Sequence, residues 1–364
     1  MKRLVYPEVP SPEAWLPFLR LSYDAGYYSN FGPNSCIFEA ELKAFLGTRR
    51  DVVTVANATV GLAATLLAMN VRGLVAIPAF TFPATASAVY QAGCDPIVVD
   101  VCERSWEMDP AELNRVLDQH SVAAIIHVRP FGLSRDLDGI GTIARVRGLP
   151  LIVDAAAGFG GRTGRDQPAG DAGVAEVFSF HATKPLGVGE GGAVIAESGL
   201  AAEIRNVTNF ALGRGKGDLR WGVNGKMSEF HAAVGRAALA GHAERLARRG
   251  RQVRRFSELL DMPGTVLPYD PGSPPWQVLP VRLPGSDAGA AKAALASVGY
   301  ETRVYYEPAI AGLGQASPPP VATRLAREML SLPIGPHIDD ADQDAIAGAL
   351  RAFLGQPVAA TQAS

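Results

Sequence analysis

The sequence predicts an α/β protein with one large, mostly parallel sheet and a smaller C-terminal α/β domain. From residue 52 to about residue 211, short β-branched runs alternate with helical patterns, which is typical of βαβ units around a parallel sheet. A Pro/Gly-rich stretch at residues 268–275 then precedes a second set of strand and helix candidates. The chain has 364 residues, of which 48% are apolar, so it can bury a substantial core.

Seven short apolar runs are predicted to be the strands of the large sheet. They are 52–55, 74–77, 96–99, 123–127, 151–153, 175–178 and 192–195. Between and after them, apolar residues at helical spacing predict helices near 59–69, 82–92, 109–118, 136–147 and 199–211. Seven strands in so short a stretch indicate a single sheet.

The remainder of the chain is predicted to be helical first and then mixed. Residues 227–260 have a helical pattern, with Ser228 as the N-cap. Strand and helix candidates follow near 276–283, 286–299, 301–306, 321–330 and 339–354, and the tail 356–364 is expected to fray. We therefore expect a large domain at 13–245 and a small one at 246–364, with residues 1–12 packing on the small domain.

Composition excludes several classes of function. The net charge of −2 offers no general field for nucleic acid or anionic lipid, and the basic 227–260 segment lacks interleaved aromatic residues. No secretory signal or membrane-length apolar run is present, so the cytoplasm is expected. The three cysteines, Cys36, Cys94 and Cys102, form no Cys-x-x-Cys pair, so we expect neither disulfides nor a metal site but buried small apolar side chains.

Asp154 directly follows the apolar run 151–153, so it should emerge at the carboxyl end of a buried parallel strand. Ligands bind at that end of open α/β sheets. A carboxylate there can keep a pyridine nitrogen protonated, which makes the ring an electron acceptor. The alternative is an ordinary turn or N-cap aspartate.

Lys184 lies thirty residues later, in a loop of small residues that continues with Gly187, Gly189, Gly191 and Gly192. An arbitrary lysine is a surface residue, but the apolar neighbours in this stretch indicate partial burial. Burial would lower the lysine pKa and make the amine a usable nucleophile and base. A lysine that can form an imine, together with Asp154, is what pyridoxal phosphate (PLP) requires from a protein.

Other residues could hold the remainder of this cofactor. Asn57 precedes a helix that opens at Ala58 and Thr59, and backbone N–H groups at a helix N-terminus attract phosphate. Ser179 could add a hydroxyl, although a backbone-bonded serine is equally ordinary. Phe82 follows a strand and could lie on a pyridine ring, or it could be a core aromatic residue.

Several segments resemble, in order, the motifs of the DegT/DnrJ/EryC1/StrS aminotransferases. They are Asn57-Ala-Thr-Val-Gly-Leu62, Pro78-Ala-Phe-Thr-Phe-Pro-Ala-Thr85, Val153-Asp-Ala-Ala156, Phe178-Ser-Phe-His-Ala-Thr-Lys184, Gly189-Glu-Gly-Gly192, Asn224-Gly-Lys-Met-Ser-Glu229 and Leu330-Ser-Leu-Pro333. The resemblance covers about residues 26–354. It implies the aspartate-aminotransferase-like fold of type I PLP-dependent transferases, with a seven-stranded sheet in the large domain.

The resemblance also implies a role for each matching residue. Lys184 resembles the Schiff-base lysine, Asp154 the partner of the pyridine nitrogen, and Phe82 the ring-stacking aromatic residue. Ala58, Thr59 and Ser179 match the phosphate cradle. Asn224 matches an asparagine that reaches the phosphate from the neighbouring subunit, which implies a homodimer with a shared active site.

Some positions depart from the family pattern. The third residue after Asp154 is usually Gln or His near the phenolic oxygen of the cofactor, but here it is Ala157. Pro185 follows the lysine where Asn is frequent, and Gly225-Lys226 replaces an aromatic residue and Arg. His181 lines the site or has a packing role, and Tyr305-Tyr306-Glu-Pro308 matches a segment that borders the sugar pocket.

The resulting hypothesis is an aminotransferase that moves an amino group from an amino acid, L-glutamate by resemblance, to a keto sugar, foremost a nucleotide-linked keto-deoxyhexose. A ketone that is not a nucleotide sugar, such as an aminocyclitol precursor, is an alternative acceptor. A PLP-binding regulatory protein without turnover is the alternative that is not an enzyme.

Overall fold

The structure, a computed structural model, describes residues 1–212, 222–306, 310 and 318–355. Its centre is a seven-stranded sheet whose strands each begin and end within one residue of the predicted runs. The strands are β1 (Asp51–Val55), β2 (Leu74–Pro78), β3 (Asp95–Val99), β4 (Val122–Val128), β5 (Leu151–Asp154), β6 (Ala175–Ser179) and β7 (Gly192–Ala196). They lie in the order β1-β7-β6-β5-β4-β2-β3.

The sheet is mostly parallel, as predicted. Strands β3, β2, β4, β5 and β6 pair in parallel, and β7 is antiparallel to both β6 and β1. Parallel neighbours require crossover connections, and helices supply most of them. Successive side chains of β5 alternate between the two faces, so that Ile152 lies in one apolar core and Val153 in the other.

Seven helices come before or between the strands of this sheet or follow its last strand. They are α1 (Pro12–Ala25), α2 (Pro33–Leu46), α3 (Ala58–Ala68), α4 (Pro83–Gln91), α5 (Pro110–Gln119), α6 (Asp138–Arg147) and α7 (Ser198–Thr208). The last five confirm the predicted helices. The first two were not predicted. In α2, buried polar residues such as Asn34, Ser35 and Glu39 interrupt the apolar period.

The predicted helical stretch 227–260 is two helices, α8 (Glu229–Ala240) and α9 (His242–Leu259). Ser228 is the N-cap, as predicted, and its side chain accepts a hydrogen bond from the backbone N–H of His231. The break falls at Gly241, a residue type that costs about 1 kcal/mol relative to alanine inside a helix. The predicted domain boundary at 245/246 lies within α9 and stays a prediction.

The C-terminal part forms a three-stranded antiparallel sheet, β8 (Leu279–Arg282), β9 (Arg303–Val304) and β10 (Met329–Leu332), in the order β8-β10-β9. Helices α10 (Ala288–Ser297), α11 (Pro320–Glu328) and α12 (Asp340–Phe353) accompany it. The single element expected at 321–330 is wrong, because α11 ends at Glu328 and β10 begins at the next residue. The predicted tail 356–364 lies outside the described residues.

One expectation about the cysteines needs correction. Cys94 is buried, as expected, but Cys102 is only partly buried and Cys36 is exposed. Cys36 lies in the first turn of α2, where its thiol donates to the carbonyl oxygen of Phe31 at 3.3 Å. The apolar character of a cysteine side chain was therefore not enough to place Cys36 in the core.

Candidate active site

One edge of the large sheet brings the predicted cofactor residues together. In the strand register, Ser179 at the end of β6 is paired with Gly192 at the start of β7, and Gly192 is paired with Val55 at the end of β1. Helix α3 begins at Ala58, three residues after β1 ends. Asp154 ends β5, the strand beside β6. The site therefore lies at the carboxyl ends of the parallel strands, where open α/β sheets bind ligands.

Asp154 is a buried carboxylate, with 6% of its surface exposed. Its Oδ2 accepts from the Thr85 hydroxyl at 2.8 Å, and its Oδ1 accepts from the backbone N–H of Ala156 at 3.1 Å. Burial raises the pKa of Asp154, while these hydrogen bonds and the charge of Lys184 oppose the rise. A buried carboxylate is stable when a cation or a further donor faces it, as a protonated ring nitrogen would.

Lys184 is half-buried in the loop between β6 and β7. Its Nζ donates to Oε1 of Gln277 at 3.0 Å. Burial lowers the pKa of Lys184 to about 8, and the charge of Asp154 opposes that shift. Near pH 8 an appreciable fraction of this amine is neutral, which is the form that attacks a carbonyl.

The loop that carries Lys184 is folded tightly on itself. The backbone N–H of Ala182 donates to the carbonyl oxygen of Gly189 at 2.7 Å, and that of Lys184 to the oxygen of His181 at 2.8 Å. Gly187 has to be a glycine, because a Cβ there would lie 2.7 Å from the carbonyl oxygen of Ala182. The glycines predicted to let the backbone pass close to a ligand thus also close the loop.

The predicted phosphate cradle would combine the start of α3 with Ser179 at the end of β6, and it stays a prediction. The Asn57 side chain caps α3 by accepting from the N–H of Val60 at 2.9 Å. The N–H groups of Ala58 and Thr59 belong to the first turn, which has no acceptor within the helix. A Cβ on Gly192 would lie 3.0 Å from the backbone nitrogen of Ala58, so β7 leaves room at this helix end only because residue 192 is glycine. Such an N-terminus suits a phosphate group.

Asn224, the remaining predicted phosphate ligand, is exposed. Its Oδ1 accepts from Nζ of Lys226 at 2.7 Å. The adjacent Gly225 accepts from the N–H of Ala56 at 2.7 Å, which anchors this segment just past the end of β1. The side chain is thus available at the surface, and its reach into a second subunit stays a prediction.

Phe82 lies at the N-cap of α4 and is 57% exposed, so it is not a core aromatic residue. It lines a cavity of about 590 Å³ together with Tyr305 and Tyr306. Two cationic side chains, Lys292 and Arg303, line the same cavity. The stacking of Phe82 on the cofactor ring stays a prediction.

Tyr306 joins this cavity to the buried carboxylate. Its ring lies 4.9 Å from Phe80 and 5.6 Å from Phe131, measured between ring centroids. Burial, followed by the charge of Asp154, raises the pKa of Tyr306 well above its usual value, so the hydroxyl is protonated near neutral pH. The other two residues of the predicted sugar-pocket segment, Glu307 and Pro308, lie outside the described residues.

The last two positions discussed from the sequence are Ala157 and His181. Ala157 is buried and leaves no polar side chain where Gln or His is usual. Its carbonyl oxygen would lie 2.3 Å from a Cβ on Gly132, which adopts φ +85°. His181 is exposed, its Nδ1 lies 2.9 Å from the Thr183 hydroxyl, and its Nε2 is 3.7 Å from Glu190. His181 therefore lies at the surface of the lysine loop rather than in the core.

Sequence reasoning missed two residues that contact the predicted catalytic pair, Thr85 and Gln277. Thr85 ends the segment Pro78-Ala-Phe-Thr-Phe-Pro-Ala-Thr85, but nothing in the local sequence indicates its bond to Asp154. Gln277 is a single polar residue in the otherwise apolar run 276–279. A lone amide in such a run is a signal that could have drawn attention to it, because a buried amide needs hydrogen-bond partners.

The site fits the expected cofactor on three structural grounds. It contains an amine with a lowered pKa, a buried carboxylate, and a helix N-terminus kept open by Gly192. Within the described ranges there is no group of three or more His, Cys, Asp or Glu side chains that could hold a metal ion. None of the helices in the described part of the chain has the length and apolar character needed to cross a membrane.

Comparison with known proteins gives matches over most of the chain. The model of the DegT/DnrJ/EryC1/StrS aminotransferase family matches residues 16–351. Protein Rv3402c of Mycobacterium tuberculosis H37Rv is 34% identical over 254 residues, which cover 67% of this chain and 61% of that protein. The match thus spans less than two thirds of the length of that curated relative.

Two further similarities extend over nearly the whole chain. A dTDP-3-amino-3,4,6-trideoxy-alpha-D-glucose transaminase of Streptomyces venezuelae is 32% identical over 337 residues, covering 87% of this chain and 86% of that protein. The crystal structure of DesI in the presence of its TDP-sugar product superposes with a TM-score of 0.89 at 32% identity, covering 97% and 93% of the two chains.

Proposed function

The chain belongs to the DegT/DnrJ/EryC1/StrS aminotransferase family, and on this premise we propose that it is a PLP-dependent aminotransferase. It transfers an amino group from an amino acid, L-glutamate, to a nucleotide-linked keto sugar. The observation that carries the proposal is the pairing of a half-buried Lys184, whose pKa is about 8, with the buried carboxylate of Asp154. An ordinary surface lysine has neither a lowered pKa nor a buried carboxylate as its partner.

Each residue of the site has a defined task. When bound, PLP supplies the aldehyde that accepts the amino group and a ring that withdraws electrons from the reacting carbon. Asp154 holds a proton on the ring nitrogen, and Thr85 and the Ala156 N–H orient its two oxygens. Lys184 would hold the cofactor through Nζ, and as a free amine the same atom would accept and return the proton of the reacting carbon.

The phosphate and the ring are held by residues at the ends of other elements. The N–H groups of Ala58 and Thr59 and the hydroxyl of Ser179 bind the phosphate, and Phe82 covers the ring. Asn224 of a second subunit completes the phosphate site, so the protein acts as a homodimer with shared active sites. The exposed position of Asn224 and the open N-terminus of α3 support this arrangement.

A nucleotide-linked acceptor is supported by the cavity that borders Phe82. Its two tyrosines offer flat apolar surfaces for a sugar or base, and Lys292 and Arg303 offer positive charge for a diphosphate. The solved structure of DesI contains a TDP-sugar product. A keto acceptor without a phosphate would make no use of these two cations.

The test is a pair of half-reactions with the purified protein and PLP. L-Glutamate should discharge the visible absorbance of the bound cofactor with one equivalent of 2-oxoglutarate formed per site. A panel of TDP- and UDP-linked keto sugars, free keto sugars and a keto-cyclitol should then restore the absorbance, with the nucleotide-linked compounds fastest. Lys184→Ala should show neither step, whereas Lys43→Ala, on the outer surface beside Asp51, should behave as the wild type.

The outcomes separate the alternatives. Restoration by the keto-cyclitol but by no nucleotide sugar would replace the proposed acceptor class. A bound cofactor that no amino donor converts would indicate a regulatory protein. In the proposed case, Lys292→Gln and Arg303→Gln should raise KM for the nucleotide sugar and leave the glutamate half-reaction unchanged.

A further inference from the structure

The side chain of Gln277 is bound to two consecutive residues of the lysine loop. Its Oε1 accepts from Nζ of Lys184 at 3.0 Å, and its Nε2 donates to the Thr183 hydroxyl at 3.3 Å. Gln277 is 9% exposed, so its amide is largely withdrawn from water. Among the described residues it is the hydrogen-bond partner that the structure gives to this amine.

The backbone around Gln277 is held by a buried guanidinium. Arg249 of α9, only 2% exposed, donates from one terminal nitrogen to the carbonyl oxygens of Trp276 and Gln277, each at 3.1 Å. Its other terminal nitrogen donates to Glu8 at 2.8 Å. Gln277 is therefore presented to the lysine by a backbone anchored at two carbonyls, which makes the amide a rigid acceptor.

The same segment packs against the loop between β5 and β6. A Cβ on Gly161 would lie 3.2 Å from Cδ of Pro275, and the N–H of Arg162 donates to the carbonyl oxygen of Ser273. The segment that leads into β8 thus joins the carboxylate strand to the lysine loop. A purely apolar packing role would not need an amide there, because a buried amide costs free energy unless it is hydrogen-bonded.

We propose that Gln277 is a positioning residue for Lys184, and this inference rests on the proposed transaminase function. Its amide oxygen receives the ε-amine whenever that amine is not joined to the cofactor. It holds the nitrogen in place, so that the lysine can take up and return a proton without first searching through its rotamers. Thr183 fixes the amide orientation, with the oxygen toward the lysine and the NH₂ toward the hydroxyl.

The hydrogen bond from Lys184 to the Gln277 oxygen also favours the protonated amine, because an ammonium group donates to an oxygen more strongly than a neutral amine does. Titratable or charged groups near the amine, its loop or its carboxylate partner come from two strands, from the lysine loop itself, from the segment after β9 and from α8. They are Asp154 on β5, His127 on β4, Tyr306 after β9, His181 and Glu190 on the lysine loop, and His231 on α8. None of them is altered by a change at residue 277.

The experiment measures the ionisation of Lys184 in the full chain freed of cofactor. Competitive acetylation with trace acetic anhydride across a pH series, read by mass spectrometry of the Lys184 peptide, gives the midpoint for that one amine. Gln277→Leu removes the acceptor and should move the midpoint to lower pH. Gln277→Glu keeps an oxygen and adds negative charge, and should move it to higher pH by about one unit.

A structural role alone would not move the two variants in opposite directions. Gln252→Leu is the matched control, since Gln252 is bonded to the backbone of Gly335 and Ile338 and should leave the Lys184 profile unchanged. Unchanged midpoints, or shifts of both variants in the same direction, would overturn the proposal. If the Leu variant does not fold, the nearly isosteric Glu variant still decides the question. The labelling uses neither sugar nor amino donor, so its failure is distinct from a failure of the proposed function.

Discussion

The carboxylate of Asp154 and the ε-amine of Lys184 each influence the ionisation of the other. Burial raises the pKa of Asp154 and lowers that of Lys184, and the opposite charge of each partner works against both shifts. Both groups lie at the carboxyl end of the sheet but belong to different elements, β5 and the loop after β6. Their coupling is the electrostatic basis of the site.

The first prediction concerns the pH dependence of cofactor capture. Because the pKa of Lys184 is about 8, its reactive neutral form is scarce below that pH and predominates above it. The rate at which the cofactor-free protein binds PLP covalently should therefore rise about tenfold per pH unit below pH 8 and level off above it. Stopped-flow absorbance measures this rate. A profile that continues to rise to pH 10 would show an ordinary, solvated lysine.

The second prediction is that Asp154→Asn separates binding from turnover. The amide keeps the size of the carboxylate, so the cofactor should still bind, but the ring nitrogen is no longer held protonated and turnover should fall by about 10²-fold or more. Loss of the negative charge also removes the effect that raises the pKa of Lys184, so the capture midpoint should move to lower pH.

The control for this substitution is Asp95→Asn, an exposed aspartate at the start of β3. It makes the same chemical change far from the lysine loop and should alter neither turnover nor the capture midpoint. Full activity of Asp154→Asn would remove the proposed role of this carboxylate.

The third prediction tests the phosphate cradle by replacing Gly192 with alanine. In Gly192→Ala the new methyl group would lie 2.7 Å from the carbonyl oxygen of Phe178 and 3.0 Å from the nitrogen of Ala58, so the start of α3 must shift. The Kd for PLP, and equally for inorganic phosphate as a probe, should rise by about tenfold. Equilibrium titration of the cofactor-free protein measures both.

Gly199→Ala is the matched control for this change. A Cβ on Gly199, in the first turn of α7, meets nothing within 4 Å. The two glycines lie seven positions apart, and the control should leave both constants as they are in the wild type. Equal behaviour of the two variants would mean that phosphate is bound elsewhere.

The fourth prediction tests whether the active site is shared between subunits. Lys184→Ala and Asn224→Ala should each be nearly inactive alone. In a mixed dimer, one site has both defects and the other has neither. Random reassociation of equal amounts should therefore restore about a quarter of wild-type activity. Activity after unfolding and refolding the mixture is the measurement.

The mixing experiment would give a different result if the active sites were not shared between subunits. If Asn224 serves the site of its own subunit, every site in the mixed dimer has one defect, and activity should not exceed the average of the two variants. An Asn224→Ala protein with full activity by itself would remove this residue from the proposed phosphate site.

The sequence predicted those parts of the fold that depend on local pattern. β-branched runs located all seven strands, and Ser228 was correctly taken as a helix N-cap. It did not predict α1 or α2, and in α2 buried polar residues obscure the helical period. It also joined α8 to α9 and α11 to β10, because one glycine or one change of backbone direction has a weak signal in a continuous apolar pattern.

The amino-acid sequence by itself determined where Asp154, Lys184 and the start of α3 lie, because each follows directly from a strand end, a glycine-rich loop or a helix cap. Only the tertiary structure decided which side chains face them. Thr85 contacts Asp154 across 69 residues of sequence, and Gln277 contacts Lys184 across 93. Such contacts depend on strand order and on the packing of the segment before β8 against the lysine loop. Local periodicity contains no information about either, since both result from the packing of elements that are distant in the sequence.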